Sequence, residues 1–486
     1  MDHTPADGVD APSPAQRARA LPVVIQGGMG VAVSSWRLAG QVARAGGVGV
    51  VSGTALDLVL ARRLQDGDAD VRRALEAFPF PQVTARLVAR YARPPGERAG
   101  RPYTPVPRPS VRPSLAAQEL TVAGNFVEVW LAKQGHSGPV GVNYLEKIQM
   151  ATPLAAYGAM LAGVDVVLVG AGIPGDVPAL LDALAAHRPV DAHIHVDGAD
   201  EPALLHFDPA VLGASGRPAL RRPVLLAIVS AHVLAAYLAR DAATCPDGYV
   251  IEGASAGGHN APPRGRMTLD EQGEPVYGPR DEVDLAKVAA LGLPFWLAGA
   301  FGSPQRVRAA LAAGAAGVQV GTVFALSTDS GLVPALRDGL LTQLAERTLT
   351  VRTDPAASPT GFPFKVAELT GTLATTDVYA ARPRLCDLGY LRVPFAHEDG
   401  SLGYRCPAEP VHTYLRKGGE EADTVARQCL CNALTANVGL GQTRADGYTE
   451  APLVTLGSDL DGARAMLQRC PHGWTAAEAV AWLRDG

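Results

Sequence analysis

The chain has 486 residues, of which 47% are hydrophobic and 19% charged, and its formal net charge is -5. This composition is ordinary for a globular protein, and the length allows one large domain with an appendage or two to three domains. The acidic balance disfavours nucleic acid or an anionic membrane as the main partner. Residues 1–20 are polar and lack the basic and apolar regions of a signal peptide, so we expect a disordered N-terminal arm. No charge-free apolar run is long enough to span a membrane, and six cysteines do not make a disulfide scaffold, so we expect a cytoplasmic protein.

Short runs of Val, Ile and Leu recur along the chain and are separated by Ala/Leu/Arg-rich segments of helical length. The runs are continuously apolar, which is typical of parallel strands covered on both faces. Eight such β-then-α units predict an α/β fold, a (β/α)8 TIM barrel over residues 21–350, with an open doubly wound sheet as the alternative. The predicted strands are Val23–Ile25, Val48–Ser52, Val140–Asn143, Val164–Val169, Val224–Val229, Gly248–Ile251, Phe295–Ala298 and Gly317–Val320.

Two insertions and a tail interrupt this regular pattern. The insertion after strand 2, about residues 72–137, contains a Pro- and Arg-rich arm and ends in a predicted helix over 115–133. The insertion after strand 4, about residues 188–222, alternates like a strand around His193 and His195. These two histidines share one face, and a solvated edge strand is favoured there over a metal pair. Residues 351–486 have a different texture and are predicted to be a C-terminal extension packed on the barrel.

Glycines follow the last two predicted strands. Strand 7 ends in Gly299 and Ala300, and strand 8 ends in the sequence Gln319-Val320-Gly321-Thr322. Exposed backbone N–H groups beside a helix start make a phosphate site, and in barrels these two loops are the usual phosphate grip. The alternative is that the glycines only close tight turns; two such motifs at neighbouring strand ends favour phosphate.

Three other strand ends offer a surface for a planar ring and a proton-transfer group. Strand 1 is followed by Gln26-Gly27-Gly28-Met29, a flat stretch almost free of side chains, and strand 3 ends at Asn143. Strand 6 leads into Gly257-Gly258-His259, and a histidine there can move protons near neutral pH. A buried structural histidine is the alternative. A ring surface, a phosphate grip and a histidine on one barrel face together suggest an enzyme that uses flavin mononucleotide (FMN).

These motifs resemble, in chain order, the nitronate monooxygenase family, formerly called 2-nitropropane dioxygenase, which also contains FMN-dependent enoyl-ACP reductases. The resemblance runs from about Pro22 to Gly331, and its most specific element is E-G-x-x-A-G-G-H at Glu252–His259. It implies a TIM barrel with non-covalent FMN. The residues that it implies are His259 as the catalytic base and, as flavin contacts, Gln26, Gly27, Gly28, Met29, Asn143, Gly257, Gly258, Gly299, Ala300, Gln319, Gly321 and Thr322.

The chain departs from the family pattern in three places. Ala300 stands where a second phosphate glycine is usual, and compact members lack the insertions and the tail. The segment Ser358–Lys365 occupies the place of a segment near the substrate, with Lys365 either an anion contact or a surface lysine. In the tail, four cysteines with the spacing C-x19-C-x22-C-x-C lack the familiar C-x2-C pairs, so we expect buried free thiols rather than zinc or an iron–sulfur cluster. They are Cys386, Cys406, Cys429 and Cys431.

The leading hypothesis is a monooxygenase that oxidises alkyl nitronates with FMN and O2. The alternative is an FMN-dependent enoyl-ACP or thioester reductase that uses NAD(P)H, with an acyl carrier protein as partner and the insertions as its docking surface. A barrel that binds FMN without turnover ranks last, because it leaves His259 without a purpose. A homo-oligomer is compatible with each of these hypotheses.

Overall fold

The computed structural model describes residues 12–486. The described strands are β1 (Val24–Gln26), β2 (Gly49–Ser52), β3 (Val140–Leu145), β4 (Val166–Gly170), β5 (Val190–Ile194), β6 (Ala203–Phe207), β7 (Val224–Val229), β8 (Gly248–Glu252), β9 (Phe295–Ala298), β10 (Gly317–Val320), β11 (Val351–Asp354), β12 (Phe364–Ala367), β13 (Val393–Ala396) and β14 (Leu402–Arg405). The described α-helices are α1 (Pro14–Arg19), α2 (Trp36–Arg44), α3 (Leu56–Gln65), α4 (Ala69–Glu76), α5 (Pro81–Tyr91), α6 (Leu115–Ala132), α7 (Thr152–Leu161), α8 (Val177–Ala185), α9 (His232–Leu238), α10 (Leu285–Ala289), α11 (Pro304–Ala312), α12 (Thr322–Ala325), α13 (Pro334–Glu346), α14 (Thr376–Ala381), α15 (Val411–Arg416), α16 (Leu430–Ala436), α17 (Asp461–Arg469) and α18 (Ala476–Asp485).

Eight parallel strands form the barrel, in the order β1-β10-β9-β8-β7-β4-β3-β2. A parallel bridge between Ile25 and Val48 joins the two ends of this sheet and closes it. The predicted α/β barrel is therefore confirmed, and each of the eight predicted strands corresponds to one strand of the barrel. The open doubly wound sheet is excluded by the closure.

The apolar runs of the sequence are explained by burial on both faces of the barrel strands. Alternate residues point into the barrel, where Val50, Leu168, Leu226, Val250 and Trp296 belong to one buried cluster. The residues between them face the surrounding helices, as Tyr249 and Leu297 do. Because both faces exclude water, neither set can be polar, and the period-2 alternation of a half-exposed strand disappears.

Each predicted insertion forms its own layer on the barrel. Between β2 and β3, helices α3 to α6 pack together, and α6 begins at the side-chain cap of Ser114, close to the predicted start. Between β4 and β7, β5 and β6 form an antiparallel pair. His193 and His195 are exposed there and lie 3.4 and 3.2 Å from carboxylate oxygens of Asp176 and Asp197 respectively. Within residues 12–486, no three His, Cys, Asp or Glu side chains are arranged to hold a metal ion.

The C-terminal residues 351–486 return to the carboxyl-end face of the barrel. Backbone N–H groups of Lys365 and Ser458 in the extension donate to the carbonyls of Gly258 and Ser255 in the barrel at 2.9 and 3.0 Å. Strands β11 and β12 pair antiparallel, as do β13 and β14. The placement of the domain boundary at residue 350 stays a prediction, while these hydrogen bonds show extension and barrel in direct contact.

The N-terminal segment differs from the prediction over its described part. Residues 14–19 form α1, whose first turn is capped by the Ser13 side chain, and Ala18 is fully buried. Arg17 Nη2 donates to the Arg222 carbonyl at 2.6 Å, which fixes this helix against the barrel. A Ser cap followed by Pro at the first helical position is the local signal for this helix. Residues 1–11 of the predicted disordered arm lie outside the described residues. None of the helices described between residues 12 and 486 combines the length and the apolar character that crossing a membrane requires.

Candidate active site

One large cavity opens at the carboxyl ends of the barrel strands. Together with its mouth it holds about 1660 Å³, and both the barrel loops and the C-terminal extension line it. This is the face on which barrel enzymes carry their chemistry. The structure brings together at this cavity twelve of the residues singled out from the sequence: Gly27, Gly28, Met29, Asn143, Gly257, Gly258, His259, Gly299, Ala300, Gln319, Gly321 and Thr322.

The paired glycines after β1 form a wall that admits close approach. A Cβ atom on Gly28 would lie 2.4 Å from Asn143 Cβ, and one on Gly27 would lie 3.3 Å from Gln319 Cγ. The buried oxygens Asn143 Oδ1 and Gln319 Oε1 have no hydrogen-bond partner in the described structure. A buried acceptor without a donor is costly, so these oxygens are matched to a ligand that brings N–H groups. A flat wall flanked by two free acceptors fits the ring of a flavin.

The other end of the cavity is lined by backbone. Gly299 and Ala300 both have positive φ, +87° and +63°, which turns the chain sharply between β9 and α11. Gly321 precedes the first turn of α12, and the first turn of α17 contributes Gly462 and Ala463. The first N–H groups of a helix lack partners within the helix, and they favour an anion. This end of the cavity therefore fits a phosphate group.

His259 lies in the cavity at the end of the glycine loop that follows β8. Its Nε2 is 2.7 Å from Ser358 Oγ, and its ring packs edge-to-face on Phe364 with 4.9 Å between ring centres. Desolvation, with a smaller contribution from the positive charge of Lys147, lowers the pKa of His259 to about 4. The imidazole is therefore neutral at physiological pH and has one fixed hydroxyl partner.

Glu252 is a second titratable group of the cavity, and sequence reasoning assigned it no role. It is the last residue of β8 and has the inward parity of Val250. Burial raises the pKa of its carboxyl group to about 7, and neither an ion pair nor a hydrogen bond within the described residues offsets this. Near neutral pH it is partly protonated and can donate a proton.

Two predicted site residues do not line the cavity. The Gln26 side chain lies in the barrel wall, where it donates to the Gly27 carbonyl and accepts from the Val50 N–H group. Lys365 lies on β12 with parity opposite to that of the cavity-lining Phe364, and its Nζ donates to Thr353 Oγ1. Burial lowers the pKa of Lys365. Strand parity directs the side chains of Gln26 and Lys365 away from the cavity, while contact of these residues with cofactor or substrate stays a prediction.

The C-terminal extension supplies cavity residues that the sequence did not reveal. Thr455 Oγ1 accepts the Gly258 N–H at 2.9 Å, and the Gly457 N–H donates to Thr322 Oγ1 at 2.9 Å. These bonds fix the histidine loop and the loop after β10 to one segment of the extension, residues 455–457, which we call the strap. An apolar wall is added by Tyr390, Leu391, Leu430 and Leu434. No motif marks these residues; the only signal was the length of the extension.

Comparisons with known proteins were made for the whole chain. The sequence model described as nitronate monooxygenase matches residues 219–357, less than half of the chain. That segment contains Glu252–His259 and both glycine motifs of the phosphate end, and it excludes the strand ends at Gly28 and Asn143. A search of curated proteins finds no match.

Similar solved structures are distant. FabK from Thermotoga maritima is 15% identical with a TM-score of 0.47, covering 97% of this chain and 95% of that one. Nitroalkane oxidase from Streptomyces ansochromogenes is 16% identical with a TM-score of 0.44, covering 97% of both chains. The enoyl reductase domain of MlnA from Bacillus amyloliquefaciens is 11% identical with a TM-score of 0.48, covering 96% and 95%. The match over residues 219–357 confirms the resemblance found in the motifs: this segment is similar to the nitronate monooxygenase family, and the protein is a flavin oxidoreductase.

Proposed function

We propose that the protein is an FMN-dependent nitronate monooxygenase, which oxidises alkyl nitronates with O2. The observation that carries the proposal is that His259 lies in the same cavity as the glycine wall and the phosphate end. Its imidazole is neutral and hydrogen-bonded to the hydroxyl group of Ser358. When bound, FMN would supply the redox chemistry and the reaction with oxygen. The contributions of this chain are to bind, to orient and to handle the proton.

The cofactor would be held at both ends of the cavity. Asn143 Oδ1 and Gln319 Oε1 would accept hydrogen bonds from the ring, and Gly28, which lets Asn143 approach its backbone closely, lines the cavity beside them. The backbone around Gly299 and Gly321 would donate to the phosphate. The hydrogen bond from the Gly457 N–H group to Thr322 Oγ1 would hold the loop after β10 in place at this end.

His259 would act on the carbon next to the nitro group. As a neutral imidazole it can accept a proton from a nitroalkane, but a pKa of about 4 makes it a weak base. A preformed nitronate has already lost that proton. The proposal therefore favours nitronates over neutral nitroalkanes as substrates, and His259 is needed as a base only for the neutral nitroalkanes.

A second candidate is the FMN-dependent reductase of enoyl thioesters, with NAD(P)H as reductant and an acyl carrier protein as partner. Two observations favour it: Glu252, with a pKa of about 7, is a proton donor within the cavity, and the extension adds an apolar wall at Leu430 and Leu434 that suits an acyl chain. Reduction of an enoyl group needs both a proton donor and an apolar acyl site.

Anaerobic reduction separates the two functions. The purified protein is loaded with FMN and mixed, without oxygen, with propyl nitronate or with NADPH, while the flavin absorbance is followed. Nitronate oxidation predicts rapid bleaching by propyl nitronate and slow bleaching by NADPH. Rapid bleaching by NADPH with no response to the nitronate would refute the monooxygenase and support the reductase.

A further inference from the structure

Four cysteines of the extension meet around one small void. Cys406 and Cys429 are buried there, and Cys386 and Cys431 pack against them. The space between the four is about 10 Å³, which holds one molecule of the size of water. In the part of the chain that the structure describes, no three His, Cys, Asp or Glu side chains are arranged to hold a metal ion. The chemistry of this cluster is therefore that of the thiols themselves.

Two of the four thiols contact each other. The Cys406 S–H group donates a hydrogen bond to the Cys386 sulfur. Cys429 and Cys431 are two residues apart at the start of α16, and residues at this spacing do not face each other on a helix. The Cys429 sulfur instead accepts from Asn432 Nδ2 at 3.5 Å. Cys386 and Cys406 are therefore the pair that is placed to react.

The surroundings of Cys386 favour its reactive form. The hydrogen bond from Cys406 is the largest cause that lowers the pKa of the Cys386 thiol. The positive charges of Arg392 and Arg108 lower it further, while burial and the negative charge of Glu409 oppose them. The lowered pKa increases the fraction of thiolate, which is the nucleophilic form of cysteine. Cys386 is also partly exposed, so a small oxidant can reach it from solvent.

The neighbours of Cys386 are fixed in complementary roles. Arg392 donates to the carbonyls of Gly389 and Pro109 at 3.3 and 2.8 Å, which holds its charge near the sulfur. Cys406 is buried, and its hydrogen bond to Cys386 together with burial raises its pKa, so that it stays protonated. An accessible thiolate beside a second thiol is the arrangement in which an oxidised cysteine is resolved as a disulfide.

We propose that Cys386 and Cys406 are a peroxide-sensitive pair that oxidises to a disulfide. The Cys386 sulfur attacks hydrogen peroxide: an S–O bond forms, the O–O bond breaks and hydroxide leaves, so the sulfur is oxidised to a sulfenic acid and the peroxide is reduced. The Cys406 sulfur then attacks the Cys386 sulfur: the S–S bond forms, the S–O bond breaks, and the departing hydroxide takes the Cys406 proton and leaves as water. In sum, two thiols and one hydrogen peroxide give one disulfide and two water molecules.

The pair lies next to the wall of the large cavity. Cys386 precedes Tyr390 and Leu391, which line that cavity, by four and five residues. Leu391, Leu430 and Cys431 line both the cavity and the void. Reaction of O2 in the cavity, which rests on the proposed function, is one source of peroxide for the pair. The test below supplies the peroxide directly, so its outcome does not depend on the proposed function.

The test locates every thiol after exposure to peroxide. The full chain is reduced, desalted without oxygen, treated with a small excess of hydrogen peroxide, quenched in acid and unfolded in N-ethylmaleimide. Free thiols and disulfides are then mapped by mass spectrometry. The proposal predicts a Cys386–Cys406 disulfide within one chain, with loss of about two of the six thiols.

Variants separate the roles of the two sulfur atoms. Cys406→Ser should stop at a sulfenic acid on Cys386, which dimedone labels, because the resolving thiol is missing. Cys386→Ser should slow the peroxide-dependent loss of thiols at least about tenfold. The matched control Cys470→Ser removes a partly exposed cysteine outside the void and should form the disulfide as the wild type does. Far-UV circular dichroism monitors the folding of each variant.

Three results would overturn the proposal. Peroxide would oxidise Cys245 or Cys470 before Cys386, a disulfide would join another pair of cysteines, or all six thiols would survive an exposure that oxidises free glutathione completely. Each of these results is obtained with the wild-type chain alone, so a variant that fails to fold leaves the decision unaffected.

Discussion

Gly321→Ala tests the phosphate end of the cavity with a change that the protein without cofactor tolerates. The backbone at Gly321 has φ -109°, which alanine adopts readily. The nearest atoms to an added Cβ are Met29 Sδ at 3.6 Å and Met29 Cγ at 3.9 Å, both at ordinary contact distance. Without cofactor, alanine should raise the free energy of unfolding by about 0.4–1 kcal/mol, because it restricts the unfolded chain.

The same methyl group faces the cavity where FMN would bind. Adding a methyl group to a filled, well-packed site costs about 1–3 kcal/mol, which corresponds to a loss of FMN affinity of about 5- to 160-fold. The assay is titration of apoprotein with FMN by quenching of flavin fluorescence, with urea unfolding of the apoprotein in parallel. Gly278→Ala is the matched control, because an added Cβ there meets nothing within 4 Å. If Gly321→Ala is as stable as the wild type and binds FMN within about twofold of it, the assignment of Gly321 to the FMN site is wrong.

Four further predictions concern the proton-transfer groups and two alanines in left-handed backbone. His259→Ala should keep bound FMN and slow turnover of neutral nitroalkane by about 100-fold or more, but turnover of preformed nitronate far less; equal losses in oxygen-consumption assays would reject the base role. Because the pKa of His259 is lowered to about 4, its neutral form persists down to that pH, so kcat/KM for nitroalkane should show no His-dependent fall near pH 6.5. Glu252, with a pKa of about 7, should produce a pH limb near 7 that Glu252→Gln removes; a limb that survives in the variant belongs to another group. Ala300→Gly should raise the free energy of unfolding by about 1 kcal/mol, as should Ala426→Gly at a similar φ of 59°, since both relieve left-handed backbone; no gain in urea unfolding of either would show that no strain is present.

The barrel could be predicted because burial of a strand on both faces leaves a continuously apolar run in the sequence. Val224–Val229, Phe295–Ala298 and Gly317–Val320 form strands with the predicted bounds, since a strand covered on both faces must be continuously apolar. The site residues at strand ends followed from the same reasoning, because the carboxyl ends of all eight strands meet on one face of a barrel. His259 and Gly28 therefore reach one cavity although they are far apart in the chain.

The structure differs from the sequence-based expectations where the direction of a side chain or the packing of distant segments decides. Gln26 and Lys365 lie next to cavity residues in sequence, but side chains alternate along a strand, so neighbours face opposite ways. Tyr390 and Thr455 reach the cavity through an extension with no periodic signal. The shared void of Cys406 and Cys429 depends on how the loops of that extension pack, and their spacing alone did not indicate it.

The central claim is that the cavity at the carboxyl ends of the strands holds FMN. Its most direct test is the flavin content of the purified full chain, measured by absorbance after incubation with FMN and desalting, with the released flavin identified by chromatography. The account predicts a yellow protein with about one FMN per chain, and a lower content in Gly28→Ala, where the added Cβ would lie 2.4 Å from Asn143 Cβ. A folded wild-type chain that stays colourless and retains no FMN would contradict it.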